Sequence, residues 1–109
     1  MKSPRRGEVY WVALDPVIGS EIRKTRPAVI VSNDAMNRHC TRVVVVPLTS
    51  NVEGCYPGEA LVQVKGKPAR ALGDQLRSID KLRLRRRLDA LAQAEVEAID
   101  GALRITLAL

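Results

Sequence analysis

Two side chains that could act together on a phosphate ester stand at the borders of strongly apolar segments. Arg26 comes directly before Pro27 and the apolar run that follows it, and Thr49 comes directly after Pro47 and Leu48. A guanidinium offers a planar pair of N–H donors to phosphate oxygens and stabilises negative charge there. A threonine hydroxyl can donate to a phosphate oxygen or accept from another hydroxyl. Taken alone, Arg26 could equally be a surface charge, and Thr49 is more readily explained as a strand-end residue that caps a turn.

The sequence lacks the residues that three other kinds of catalytic site require. A zinc site requires clustered Cys and His ligands, but Cys40, Cys55 and His39 show no recognised spacing. Glycine motifs that cradle phosphates, of the P-loop and GxGxxG types, are absent. RNA cleavage by a pair of imidazoles needs two histidines, and the sequence contains only His39, which we place in an exposed loop. We therefore expect neither a metal ion nor another cofactor.

Positive charge is concentrated in one part of the chain. The sequence has 18 Lys and Arg against 12 Asp and Glu, a net charge of +6. The segment from Lys65 to Arg87 alone contains nine basic residues and two acidic ones. Such a distribution favours a polyanionic partner, of which nucleic acid is the commonest, although a solvated basic face would look the same. With no Phe, one Trp and two Tyr, a nucleic-acid surface here should depend on charge and hydrogen bonds rather than on stacked bases.

Short strands must position these residues. Alternating or continuous apolar patterns bounded by turn residues predict strands at 8–14, 27–32, 42–48 and 60–64, with weaker candidates at 69–72 and 75–79. Val17 to Thr25 is predicted to be a loop. The spacing of Val96, Ile99 and Leu103 predicts a helix from about Gln93 to Leu107 that caps a strand bundle. We therefore predict a mainly β fold, a small curved antiparallel sheet or partial barrel with a C-terminal helix.

Length and composition fit one domain spanning residues 1–109. The longest apolar runs are far too short to span a membrane. Two cysteines fifteen positions apart do not form a disulfide framework, although a single disulfide is not excluded. A reduced, cytoplasmic protein is the expectation that fits best.

Four fragments in order resemble the signature of the MazF/PemK family of toxins. They are Arg6-Gly7-Glu8-Val9-Tyr10-Trp11, the run from Gly19 to Asp34, Pro47-Leu48-Thr49-Ser50, and the run from Asp74 to Asp80. The similarity extends from about Arg6 to the end of the chain. It implies an SH3-like or CcdB-like barrel that forms homodimers and is neutralised by an antitoxin. It also implies cleavage of single-stranded RNA without a metal, by attack of the ribose 2′-hydroxyl, leaving a 2′,3′-cyclic phosphate and a 5′-hydroxyl.

The resemblance also assigns roles to individual residues. The family's catalytic Arg and Thr correspond to Arg26 and Thr49, and Glu21 is a candidate base or a positioning group. An Arg side chain has a pKa above about 12, so we expect Arg26 to act mainly by electrostatic stabilisation rather than as a proton donor. The predicted RNA-contacting residues are Ser20, Gln75, Lys24, Asn33, Arg77 and Ser78.

Other functions remain open at the level of sequence. The same barrel could bind nucleic acid without cutting it, could poison DNA gyrase as related barrel toxins do, or could serve as a dimeric interaction domain. The segments Ile22 to Thr25 and Arg83 to Arg87 are more basic than in many relatives of the family it resembles. The RNA motif that these relatives recognise therefore cannot be transferred to this chain.

Overall fold

The computed structural model describes residues 2–14 and 25–109. Most of the predicted loop Val17 to Thr25 lies outside these ranges, as do Ser20, Glu21 and Lys24. The described strands are β1 (Glu8–Ala13), β2 (Thr25–Ile30), β3 (Arg42–Thr49), β4 (Glu59–Val64), β5 (Lys67–Leu72), β6 (Arg77–Asp80) and β7 (Leu84–Ala90). The helices are α1 (Asp34–His39) and α2 (Gln93–Leu107), and short 3-10 turns occupy Gly73–Gln75 and Lys81–Arg83.

All described strand pairs are antiparallel. The order is β4-β5-β3-β2-β1-β7, and β6 pairs with β3 beside this path. One edge of β3 bonds β2, while its other edge bonds β6 over residues 42–45 and β5 at Leu48 and Thr49. Pro47, which has no backbone N–H, lies where β3 changes partners. This change of partner bends the sheet, which confirms the predicted curved antiparallel architecture.

Aliphatic side chains on both faces of the central strands form the core. On one face, Val29 and Val46 pack with Ile99 of α2. On the other face, Ile30 and Val45 pack with a second cluster around β6. Continuous apolar runs are typical of strands buried on both faces, so the prediction for β2 and β3 was correct in type and within two residues in extent.

Helix α2 is confirmed at the predicted bounds, and it packs against β4 and the 3-10 turn at Gly73–Gln75. Glu95 in its first turn accepts hydrogen bonds from the backbone N–H of Ala92 and of Gln63, so one carboxylate both caps the helix and fastens β4 to it. No helix in the described part of the chain is long and apolar enough to cross a membrane.

Two elements were not predicted. Strand β7 was hidden by the run Arg85–Arg87, because an edge strand paired only with β1 tolerates exposed charges that obscure its alternation. Helix α1 is only six residues long, too short to show a helical period, and it ends at His39. The expectation of a loop at His39 was therefore wrong, although its side chain is exposed. The weak strand candidate at 75–79 is a 3-10 turn followed by β6.

A buried polar pair attaches α1 to the sheet. Asn37 is fully buried, and its side-chain Nδ2 donates to the backbone oxygen of Ser32 at 2.9 Å. The Ser32 hydroxyl donates to Asn37 Oδ1 at 2.5 Å and accepts from the backbone N–H of Val44 at 3.0 Å. All polar groups of this pair are thus satisfied inside the fold, as burial requires.

Replacing Asn37 with Ala should destabilise the fold by about 1 to 3 kcal/mol, because it leaves the Ser32 groups without a partner in the core. Urea unfolding followed by circular dichroism measures this loss. His39→Ala, on the same helix but exposed, is the control and should change stability by less than about 0.5 kcal/mol. Equal stability of the two variants would contradict an anchoring role for Asn37.

Candidate active site

Arg26 and Thr49 come to the same end of the sheet. In the β2–β3 ladder Ala28 pairs with Pro47, so the start of β2 lies beside the end of β3. Both side chains line one open cleft of about 600 Å³, whose walls also include Trp11 and Pro27. The cleft therefore offers a guanidinium and a hydroxyl to one bound group.

The Arg26 side chain is exposed and reaches a second cleft. On β2, Arg26 pairs with Val12 of β1, which is fully buried, so its backbone is held in the sheet. The second cleft, of about 440 Å³, is lined by Arg26 together with Pro47, Gln75 and Arg77. An extended ligand that occupied both clefts would contact Arg26 where the clefts meet.

The hydroxyl of Thr49 is already used as an acceptor. Thr49 Oγ1 accepts a hydrogen bond from the backbone N–H of Asn51 at 3.2 Å. That bond occupies one lone pair and leaves the hydroxyl proton available. The arrangement therefore favours donation by Thr49 to an anionic group in the cleft.

Arg70 holds the loop that follows Thr49. In the β3–β5 ladder Arg70 pairs with Thr49, and its Nη1 donates to the backbone oxygens of Glu53 and Gly54, the latter at 3.0 Å. Arg70 Nε lies 3.6 Å from a carboxylate oxygen of Glu59, is buried and makes no hydrogen bond to the described residues. The Arg70 guanidinium therefore connects β5 to the loop that follows Thr49. The first turn of that loop contains the hydrogen bond from Asn51 to the Thr49 hydroxyl.

The β4–β5 hairpin forms another wall of the 600 Å³ cleft. Its two-residue turn is Lys65–Gly66, both with positive φ (52° and 78°), which suits the tight turn between paired strands. Lys65 and Lys67 line the cleft. The carboxylate of Asp89 on β7 accepts a hydrogen bond from the backbone N–H of Lys65 at 2.8 Å and so fastens the turn to the edge of the sheet.

The remaining predicted contact residues are divided between different places. Gln75 and Arg77 line the 440 Å³ cleft with Arg26. Ser78 is engaged by Arg42, whose Nε donates to its hydroxyl at 2.9 Å and whose Nη2 donates to its backbone oxygen. Asn33 caps α1 by accepting from the backbone N–H of Met36 at 2.8 Å, and it lines neither cleft. These positions leave the RNA-contacting roles of all four residues as predictions.

The lining residues of this cleft that were not recognised from sequence as parts of a site include Trp11, Lys65, Lys67 and Leu88. The one available signal was the pairing that two adjacent strands imply, since Trp11 lies opposite Pro27, next to Arg26. The lysines were visible only as members of a basic segment. Within residues 2–14 and 25–109 no three His, Cys, Asp or Glu side chains are grouped so that they could hold a metal ion, and Cys40 and Cys55 are free and exposed.

Asp89 makes the stability of the fold depend on pH. Hydrogen bonds from the backbone N–H groups of Lys65 and Ala90 lower the pKa of Asp89 below its usual value. A lowered folded-state pKa stabilises the fold above the unfolded-state pKa of about 3.9, and that contribution is lost as the pH falls through the folded-state value. Wild type should therefore exceed Asp89→Asn in urea midpoint near neutral pH, and the difference should shrink as the pH falls below about 4. A difference that does not change with pH would contradict this role.

Comparisons with known proteins agree with this architecture. Residues 5–107 match the family model for PemK-like, MazF-like toxins of type II toxin–antitoxin systems. The chain is 40% identical over 114 residues to endoribonuclease MazF9 of Mycobacterium tuberculosis (strain ATCC 25618 / H37Rv), covering 96% of this chain and 97% of that protein. It is similar to a solved mycobacterial endoribonuclease in complex with its cognate antitoxin, with a TM-score of 0.83 and 30% identity over 98% of this chain and 97% of the other. A chain in the form II crystal structure of MazE–MazF from Deinococcus radiodurans gives a TM-score of 0.86 at 27% identity, covering 100% and 99% of the two chains.

Proposed function

The chain belongs to the family of PemK-like, MazF-like toxins of type II toxin–antitoxin systems and is an endoribonuclease of that family, and we propose that it cuts single-stranded RNA without a metal ion, with Arg26 and Thr49 at the scissile phosphate. The observation that carries the proposal is that both side chains line one open cleft. The attacking group is the ribose 2′-hydroxyl, which RNA has and DNA lacks.

Cleavage by the 2′-hydroxyl is an internal transfer of a phosphoryl group. The 2′-oxygen forms a bond to phosphorus and loses its proton to a base, while the bond from phosphorus to the 5′-oxygen breaks and that oxygen takes up a proton. The products are a 2′,3′-cyclic phosphate and a 5′-hydroxyl. Negative charge grows on the phosphate oxygens as five bonds surround phosphorus, and this charge is what the protein must stabilise.

Arg26 and Thr49 match that requirement. The guanidinium of Arg26 can donate two parallel hydrogen bonds to the phosphate oxygens, and a guanidinium gives up its proton poorly. The Thr49 hydroxyl accepts from Asn51 and can donate its proton to a phosphate oxygen. Lys65 and Lys67 add positive charge to the same cleft. We assign electrostatic stabilisation to Arg26 and hydrogen-bond donation to Thr49.

The proposed base and some of the proposed RNA contacts belong to the segment outside the described residues. Glu21 is the proposed base or ribose-positioning group, and Ser20 and Lys24 are proposed RNA contacts in the same segment. Gln75 and Arg77, which share the 440 Å³ cleft with Arg26, are proposed to hold the nucleotide next to the scissile one.

We further propose that this toxin acts in the cytoplasm as a homodimer and is neutralised by its own antitoxin. The support comes from relatives: the mycobacterial endoribonuclease was solved in complex with its cognate antitoxin, and the Deinococcus radiodurans structure contains both MazE and MazF. A peptide lying across the cleft between Arg26 and Thr49 would block RNA from entering it.

The first experiment follows cleavage of a long single-stranded RNA in EDTA, with mapping of the cut sites and of their end groups. The wild type should produce cyclic phosphate ends, and Arg26→Ala should lower kcat by at least about 100-fold while folding persists. Thr49→Val keeps the side-chain shape but removes the hydroxyl, so it should lower kcat strongly, whereas Thr49→Ser should retain most activity.

Thr41→Val, at an exposed threonine before β3, is the matched control. Intact RNA with folded wild-type protein would overturn the proposal, as would cleavage that survives in Arg26→Ala.

A second experiment tests the support that Arg70 gives to Thr49. Arg70→Ala should lower kcat by about 10-fold to 100-fold with little change in KM, because a displaced hydroxyl affects the transition state more than substrate binding. Arg104→Ala, which removes an exposed arginine of α2, is the control and should leave kcat unchanged. A rise in KM at unchanged kcat would show instead that Arg70 contributes to RNA binding.

A further inference from the structure

Another open cleft lies away from Arg26 and Thr49. It measures about 710 Å³ and adjoins a smaller one of about 290 Å³, because both are lined by Lys2, Ser3, Pro4 and Tyr10. We call this pair of clefts the Tyr10 groove. The Tyr10 groove shares no lining residue with the 600 Å³ cleft, which we call the catalytic cleft because Arg26 and Thr49 line it, so the two are separate parts of the surface.

The acidic side chains in this groove are engaged by internal donors. Glu8 accepts hydrogen bonds from Arg87 Nε at 2.7 Å, from the backbone N–H of Arg5 at 2.6 Å and from the Tyr10 hydroxyl at 3.3 Å. Asp34 accepts from the backbone N–H of Arg6 at 2.8 Å. The negative charge of Glu8 is thus balanced by Arg87, and both carboxylates are oriented into the protein by these bonds.

Cations outnumber carboxylates in the groove. It is lined by Lys2, Arg5, Arg38, Lys81 and Arg85 in addition to Arg87. None of these first five forms an ion pair with another residue of the described ranges. Arg85 Nη1 donates to the backbone oxygen of Leu82 at 2.6 Å, which orients its guanidinium without neutralising it. With Glu8 and Asp34 counted, the Tyr10 groove has six cations against two carboxylates, and the charge of Asp34 acts on Arg5 and Arg38. The catalytic cleft has three cations and no carboxylate among its lining residues, so both surfaces carry a net positive charge.

We propose that the Tyr10 groove is a second, non-catalytic RNA-binding site that holds phosphates of the substrate strand at a distance from the scissile one. The proposal rests on the proposed function, since it takes RNA as the substrate. Cations spread along two adjoining clefts match the repeated charge of a nucleic-acid backbone, and arginine forks match the geometry of a phosphate. Long strands would gain affinity from the groove, while strands that only fill the catalytic cleft would not.

The test measures binding separately from cleavage. Fluorescent single strands of 2′-O-methyl RNA, which lack the attacking hydroxyl, are used at about 6 and about 24 nucleotides, and fluorescence anisotropy gives Kd over a range of salt concentrations. The groove variant is Arg38→Glu with Arg85→Glu. The control is Arg86→Glu with Arg104→Glu, which changes the net charge equally at two exposed arginines that line none of the clefts described above. Circular dichroism and urea unfolding show that each variant is folded.

In the groove variant, the affinity for the long strand should fall by at least about 10-fold, and the slope of log K against log salt should fall by about 1.4, as expected for two lost phosphate contacts. Affinity for the short strand should stay within about twofold of the wild type. The control variant should change the salt slope for the long strand by less than half as much. Equal weakening by both variants, or unchanged binding of the long strand, would overturn the proposal.

Two further results distinguish this proposal from the proposed cleavage and from a role of the groove in protein binding. If the wild type binds the long strand through the groove but cuts no RNA, the proposed cleavage fails while the binding result stands. If the groove variant binds RNA as the wild type does but escapes inhibition by an acidic antitoxin peptide, the groove is a protein-binding site and the RNA proposal is overturned.

Discussion

Antiparallel pairing between β2 and β3 is the interaction on which the proposed site depends. Because the two strands run in opposite directions, the first residues of one and the last residues of the other share one end of the sheet. Side chains alternate along a strand, so a slip of one residue would turn Arg26 or Thr49 towards the other face. Aliphatic side chains buried on both faces, among them Val29, Ile30 and Val46, oppose such a slip, since each would lose the packing that it has in its own core cluster.

Carboxylates in this protein are used mainly to organise backbone, and this leaves the cations available to a ligand. Glu8, Asp34, Asp89 and Glu95 each accept hydrogen bonds from backbone N–H groups at turns, strand edges or a helix start. Only three ion pairs occur in the described part of the chain. Among the cations that line the clefts described above, only Arg87 belongs to one of these pairs, so the others remain available to a ligand. A polyanionic substrate is attracted by such a surface over a longer range than that of any single contact.

Sequence patterns predicted the elements whose signal is local and missed those whose signal is tertiary. The apolar runs of β2 and β3 and the helical period of α2 are properties of the chain itself, and these elements appear close to the predicted bounds. Strand β7 is held in place by hydrogen bonds to the edge of β1, and its exposed arginines show no alternating pattern that would predict a strand. In the site, Arg26 and Thr49 were predicted through the resemblance to a family. Arg70 and the hairpin lysines act through contacts between segments that are distant in sequence, and no local pattern indicates such contacts.

The sequence by itself determined the fold class, the family, the concentration of basic residues and the two residues expected to meet a phosphate. These properties depend on composition, periodicity and motif order, which are all properties of the linear sequence. Only the tertiary structure decided which residues share a cleft, that the Thr49 hydroxyl already accepts a hydrogen bond, and that basic residues line two separate parts of the surface. Those decisions depend on strand register and on hydrogen bonds between remote segments, which form when burial of the aliphatic core brings the strands together.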